Sequence, residues 1–194
     1  MTAIADMIAA VRKDLHDEDA TAYRWTDAHL TRHIERAVAD LSRVSALQVK
    51  STVATAEGSR SIDISSTCTN RLRIEAVEYP VDKYPTVYAP FFEWADTLTL
   101  LVDELPSGDD CYVYWTQAHS IGTTQSFPTT LNALVALGAA GYAAVELASY
   151  GTERVNVDPA AVERYQKWGE SRLTEFRAEL KKIGRKVRTR RLYT

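Results

Sequence analysis

Residues 25–44 read WTDAHLTRHIERAVADLSRV, and this stretch decides the fold. Leu30, Ile34, Ala37, Val38, Leu41 and Val44 recur at four- and three-residue steps. That spacing is the seam of a helix that packs on other helices. Thr26 stands where an N-cap belongs, and Asp27 puts a negative charge on the positive end of the helix dipole. Trp25, just before the cap, can fold back on Leu30 as a hydrophobic staple.

Upstream, Ile4, Met7, Ile8, Val11 and Leu15 form a second apolar stripe, so a first helix is expected before the HDEDATA break at residues 16–22. Its start lacks a basic region ahead of the apolar residues, so no secretory signal is read there. Downstream, the period changes near Leu47. Residues 61–65 and 72–75 alternate like strands, and Glu78-Tyr79-Pro80 ends one. Residues 97–102 are expected to form a hairpin with 111–115 across the turn at 106–110. This region, 47–125, reads as a small antiparallel β lobe. Helical character returns at Ser126-Phe127-Pro128 and runs, rich in Ala and Gly, to a stop at Gly151. Its apolar core, Leu131 to Ala148, reads as a buried helix, and no stretch approaches the ~20 apolar residues of a membrane span. Asp158-Pro159 opens a last helix that Gly184 is expected to end.

The expected fold is therefore mainly α with a β insertion: a four-helix bundle (1–46 and 126–183) with the lobe between its second and third helices, and an extended C-terminal arm over 184–194. The length of 194 residues suits one domain with an insertion.

The charge is divided unevenly. The chain has 23 basic and 26 acidic residues, yet 181–194 hold seven basic side chains and no acidic one. They are Lys181, Lys182, Arg185, Lys186, Arg188, Arg190 and Arg191, followed by Leu192 and Tyr193. The rest has 16 basic against 26 acidic residues, a net charge of −10. An acidic body with a basic end points to a docking arm, in which arginines meet carboxylates and Leu192 and Tyr193 fill a pocket. Nonspecific grip on nucleic acid is the rival use of the same charges.

Catalytic chemistry finds little support. His29 and His33 could share a helix face, but neither an HExxH motif nor a third ligand is near, so no metal is expected. Cys68 and Cys111 read as buried thiols, and Asp109 and Asp110 argue against a Cys111–His119 dyad. Asp103/Glu104 and Asp109/Asp110 read as solvated loop. Tyr112, Tyr114 and Trp115 could stack on single-stranded nucleic acid, but no basic residue interleaves with them, which favours core or interface packing. GxGxxG, GxxxxGK[ST] and GxSxG motifs are all missing, and no cofactor is expected.

The motif Tyr23-Arg24-Trp25-Thr26-Asp27, with Leu30, Ile34, Ala37 and Leu41 after it and Ile8, Val11, Arg12 and Leu15 before it, resembles the N-terminal signature of adaptor proteins in the head–tail connectors of tailed bacteriophages. Val77-Glu78-Tyr79-Pro80, Trp94-Ala95-Asp96 and Val113-Tyr114-Trp115 with His119 are similar too. The resemblance implies a structural virion protein of the neck, assembled in the host cytoplasm, with no enzymatic activity. It implies a ring of twelve copies fixed beneath the portal protein. The ring would contact a downstream neck or tail-completion protein and pass duplex DNA through its lumen without reading its sequence. Negative walls would let the duplex slide. The rivals are another neck component, such as a stopper or tail-completion ring, and a DNA-binding module built on the basic tail.

Overall fold

The computed structural model describes residues 2–152 and 159–191, with side chains over 2–150 and 159–184. It divides into two compact units. One holds the helices, residues 1–45 and 119–194, and the other is Ala46–Ala118.

In the helical unit, α1 spans Ala3–Leu15 and α2 spans Asp27–Val44. Thr26 caps α2 by accepting a hydrogen bond from the His29 N–H at 3.2 Å. Trp25, Leu30, Ile34, Ala37, Val38 and Leu41 are all buried in one core. After a 3-10 turn at Thr129–Leu131, α3 runs Asn132–Thr152, and α4 runs Pro159–Arg191.

A four-helix bundle is not what forms. Among the described residues the fold has four α-helices and seven strands in two antiparallel sheets, and in the helical unit α3 is the hub. Helices α1, α2 and α4 each pack on it, while α1 and α4 barely meet among the described residues. The reason lies in α3 itself, whose Ala136, Ala139, Ala140, Ala143 and Ala144 are buried on several sides. A helix apolar all round belongs in the middle of other helices rather than at a corner with one face wet. By length and composition alone this helix could cross a membrane, but its burial is that of a core helix.

Glycine sets the α3–α4 distance. A Cβ on Gly141 would lie 2.9 Å from Leu173 and 3.2 Å from the Gly169 carbonyl. A Cβ on Gly169 would lie 3.0 Å from the Gly141 carbonyl. The two backbones touch where neither residue has a side chain.

Two expected ends of helices are corrected. The α3 helix runs through Gly151 to Thr152, and the α4 helix runs through Gly184 to Arg191, so the arm backbone is helical rather than extended. A glycine ends a helix by adopting left-handed φ, and Gly184 is not among the positive-φ residues. In right-handed conformation it costs only about 1 kcal/mol relative to Ala, and the Lys and Arg around it favour helix. The expected cap Asp158 lies outside the described residues.

The second unit is one compact β unit built from two antiparallel sheets. Its strands are β1 (Leu47–Ala54), β2 (Ser61–Asp63), β3 (Arg71–Glu78), β4 (Tyr88–Ala89), β5 (Phe91–Trp94), β6 (Thr97–Leu100) and β7 (Asp110–Gln117). The sheet orders are β1-β7-β3-β4 and β2-β6-β5. The expected hairpin between 97–102 and 111–115 is absent: β6 pairs with β2 and β5, and β7 with β1 and β3. The two-residue turn Ala95-Asp96 gives β6 a nearer partner in β5. Local pairing across a short turn closes a smaller loop than pairing across residues 101–109. The inward faces of both sheets, including Ile62, Val77, Leu98, Leu100, Cys111, Val113 and Trp115, make the core of this unit.

Candidate interaction surfaces

The signature residues at the start of the chain converge on one buried ion pair. Helix α1 ends at His16, which takes left-handed φ and turns the chain back. That turn brings Asp17 against Arg12, at 2.5 Å between Nη1 and Oδ2. The Arg12 Nη2 donates to the Trp25 carbonyl at 2.9 Å and to Asp27 Oδ1 at 2.7 Å. Its guanidinium lies 3.5 Å from the Tyr23 ring centroid. Asp17 Oδ1 also accepts from the Arg24 N–H at 2.8 Å. Arg12 and Asp17 are 5% and 4% exposed, so both charges are removed from water and held by each other. This hub fixes the entry of α2. Spacing alone did not reveal it, because the partners are 5, 13 and 15 residues apart.

The candidate arm residues are only partly placed. Lys181 is exposed, and Lys182 is exposed and pairs with Glu179 one turn back. Arg185, Lys186, Arg188, Arg190 and Arg191 lie on the helical backbone of α4, but their side chains are outside those described. Leu192 and Tyr193 lie wholly outside the described residues.

The residues weighed for chemistry are set in structural roles. His33 is buried with Nε2 2.9 Å from Glu146 Oε2, though without hydrogen-bond alignment, while His29 is exposed. Burial holds the His33 imidazole below its ordinary pKa, with Glu146 opposing and Arg32, Arg36 and His29 reinforcing the shift. His119 is likewise lowered by burial, and its Nδ1 lies 3.1 Å from Ser126 Oγ. Cys111 is buried, and desolvation with Asp110 nearby pushes its thiol up to about 11. Cys68 is buried and raised for the same leading reason. Such thiols are poor nucleophiles.

The tyrosines of β7 alternate with its core residues and face outward. Tyr114 donates to Glu78 at 2.6 Å, which pushes its pKa up to about 12. Tyr112 donates to Asp82 at 3.2 Å. Lys50, from β1, lies 3.4 Å from the Tyr112 ring centroid, a basic neighbour that the order of residues along the chain does not reveal. Carboxylates hold both hydroxyls, so this face does not suit phosphate. Trp115 points the other way, into the core, and donates to Ser51 Oγ at 3.0 Å.

Exposed apolar side chains concentrate on the β unit. Eight of the ten large ones among the described residues belong to it, among them Tyr84, Tyr88, Phe92, Trp94, Leu101 and Leu105. Phe92 and Trp94, two apart on the edge strand β5, are 56% and 75% exposed. Contiguous exposed apolar surface is costly in water and is typical of surfaces that other chains cover. The helical unit carries a different feature, a cleft of about 550 Å³ near the end of α1 and the first turns of α4. Arg24, Arg164, Arg172, Tyr165, Trp168 and Asp14 are among its lining residues.

Among curated proteins none matches the chain. Among solved structures, a chain of the virion of a native gene transfer agent particle is similar at 18% identity, with a TM-score of 0.31, over 84% of this chain and 88% of that one. A model of the SU10 adaptor protein family matches residues 1–168. That span includes the Arg12 hub, both sheets and most of the helical core. The chain thus belongs to the SU10 adaptor protein family, and it is a head–tail connector adaptor, a structural protein of the virion neck.

Proposed function

We propose that twelve copies of the chain form a ring that docks on the portal through the basic end of α4 and continues the DNA channel toward the tail. The observation that carries this reading is the charge division. Seven basic and no acidic residues occupy 181–194 of a chain whose remainder is −10. Arginines at a helix C-terminus also complement the dipole, so a helical arm can present them without strain. Arg185, Lys186, Arg188, Arg190 and Arg191, with Lys181 and Lys182, meet carboxylates of the portal, and Leu192 and Tyr193 fill a pocket there. The acidic remainder keeps the lumen from gripping phosphates. The exposed aromatics of the β unit supply contacts to a downstream neck or tail-completion protein.

Deleting residues 185–194 tests the docking. The truncated protein is expected to fold, and to lose capture by portal-containing heads. Normal docking of the truncated protein would overturn the arm's role. Tight, steeply salt-dependent binding of free DNA by the isolated chain would instead favour a nucleic-acid module. Electron micrographs of the purified protein, alone and with portal, test the ring and its subunit number.

A further inference from the structure

The edges of the two sheets are β1 and β4, and β2 and β5. They are not equally guarded. At β2 the Ser59 hydroxyl takes the outward Ser61 N–H at 3.1 Å. At β4, two residues long, the Tyr79 N–H holds the Val87 carbonyl, so only Tyr88 turns its backbone groups outward. Strand β1 is different. Its eight residues contain no proline and pair with β7 without a bulge. Just past its end the Thr55 N–H donates to the Asp109 carbonyl at 3.1 Å, which sets the alternation of the ladder. Leu47, Val49, Ser51 and Val53 turn their backbone groups to β7. Gln48, Lys50, Thr52 and Ala54 turn theirs outward, where no described residue hydrogen-bonds them. An edge lysine normally guards such a strand with its charge. Here the Lys50 ammonium is folded back over the sheet, 3.4 Å from the Tyr112 ring centroid and 5.4 Å from that of Tyr114.

The core is also unfinished along β1. Val49 and Leu47 share the core face of the strand with buried Val53, yet both are only half-buried. A strand laid along this edge would cover them. The other open edge is β5. The Leu101 N–H donates to the Pro90 carbonyl at 2.8 Å, so Phe91 and Glu93 turn their backbone groups away from β6. Phe92 and Trp94, between and after them, are 56% and 75% exposed. In an antiparallel pair, residues with outward backbone groups on one strand stand opposite residues of the same kind on the other. Joining β5 to β1 in this way sets Phe92 and Trp94 opposite odd-numbered residues of β1 in every register. Those residues are on the face of Leu47 and Val49. The exposed aromatics of one edge therefore meet the half-buried aliphatics of the other.

We infer that β5 of one copy adds to β1 of a second copy as an antiparallel strand, with Phe92 opposite Val49 and Trp94 opposite Leu47. The backbone groups of Phe91 and Glu93 then pair with those of Lys50 and Gln48. Main-chain hydrogen bonds hold the joint, and the alternate side chains fix its register. The contact joins two different edges, so it is heterologous and propagates around a ring. The inference rests on the ring proposed above and names a contact within it. Phe92 and Trp94 are used between copies, and Tyr84 and Tyr88 are left for the downstream protein.

The test uses the full chain as Val49→Cys, Phe92→Cys and the double variant, oxidised gently with portal present. Positions 49 and 92 become a non-hydrogen-bonded pair with Cα atoms about 4.5 Å apart, within reach of a disulfide. The native Cys68 and Cys111 are buried and stay out of the reaction. The double variant should give a ladder of disulfide-linked multimers. The two single variants mixed should give dimers and nothing larger, and either one alone should give none. Adding Lys50→Pro to the double variant removes an N–H that faces the second copy and spares the β7 ladder, so multimers should fall about fivefold, as for one lost hydrogen bond. Lys50→Ala keeps that N–H and should leave the ladder in place. Circular dichroism checks that each variant is folded. A disulfide confined to monomers overturns the inference, as do dimers from Val49→Cys alone, which would mean that β1 meets β1. Equal ladders from Lys50→Pro and Lys50→Ala overturn it too. Wild-type rings on micrographs with no ladder overturn this contact and leave the ring standing. A wild-type chain that stays monomeric even with portal overturns both.

Discussion

Replacing Arg12 with Met should cost the helical unit about 3–5 kcal/mol, the usual consequence of removing one partner of a buried ion pair. Met keeps much of the apolar stem, so the change isolates the guanidinium. Asp17 would remain 4% exposed with its charge, holding the Arg24 N–H at 2.8 Å and a marginal Trp25 N–H at 3.5 Å. That stranded carboxylate dominates. The Trp25 carbonyl also loses its donor, worth about 1–3 kcal/mol if it stays buried. Asp27, with a side chain 73% exposed, loses a surface partner worth at most ~1 kcal/mol. Against a typical total stability of about 5–15 kcal/mol, the loss is large. Asp17→Asn should be costly for the mirror-image reason. The double variant should be less destabilised than the sum of the singles by roughly 2–3 kcal/mol, since neither charge is then left alone. The assay is urea unfolding followed by far-ultraviolet circular dichroism, which tracks the helical unit even if the β unit melts separately. A loss under about 1 kcal/mol for Arg12→Met, or strict additivity in the cycle, would refute the claim that this hub sets the entry of α2.

Three further outcomes are expected. Gly141→Ala should destabilise by about 1–3 kcal/mol through overpacking, despite a helix-propensity gain near 1 kcal/mol, because its Cβ would meet Leu173 and the Gly169 carbonyl. An increase in thermal midpoint would contradict that close approach. Stability should fall as pH drops below about 6.5, the ordinary His value. His33 and His119 have folded pKa values lowered by burial. The unfolded state therefore takes protons first, and stability present above that pH is lost as it falls toward the folded values. Midpoints of urea unfolding from pH 7.5 to 5.5 measure this, and His33→Gln should flatten the slope. The Cys68 and Cys111 thiols should resist a disulfide reagent in the native state and react in denaturant, because both are buried. Rapid native labelling at pH 8 would contradict their burial.

Much of the helical unit was legible along the chain. The stripe from Leu30 to Leu41 and the Thr26 cap are local patterns, and a helix brings residues three and four apart together whatever surrounds it. Helix ends were less legible. Gly151 and Gly184 carry the composition of a stop but sit in right-handed helix, where neighbouring residues and packing outweigh a cost of about 1 kcal/mol. The strands were legible as strands, but their partners were not. Residues 97–102 and 111–115 looked like a hairpin, and each joined a different sheet. Alternation says which face is apolar and says nothing of which strand lies beside it.

The sequence by itself determined the two periodicities, the shift between them near Leu47, the charge division and the Trp25-Thr26-Asp27 motif on which the resemblance to connector adaptors rests. Each of these is a property of neighbours along the chain. Only the tertiary structure decided that α3 is a hub rather than one corner of a bundle, that Arg12 answers Asp17 and Asp27, and that Lys50 lies against Tyr112. It also decided that the arginines of 24, 164 and 172 line one cleft. Those facts depend on contacts between residues far apart in sequence. Their energies come from shared burial and charge pairing, which exist only once the chain has closed on itself.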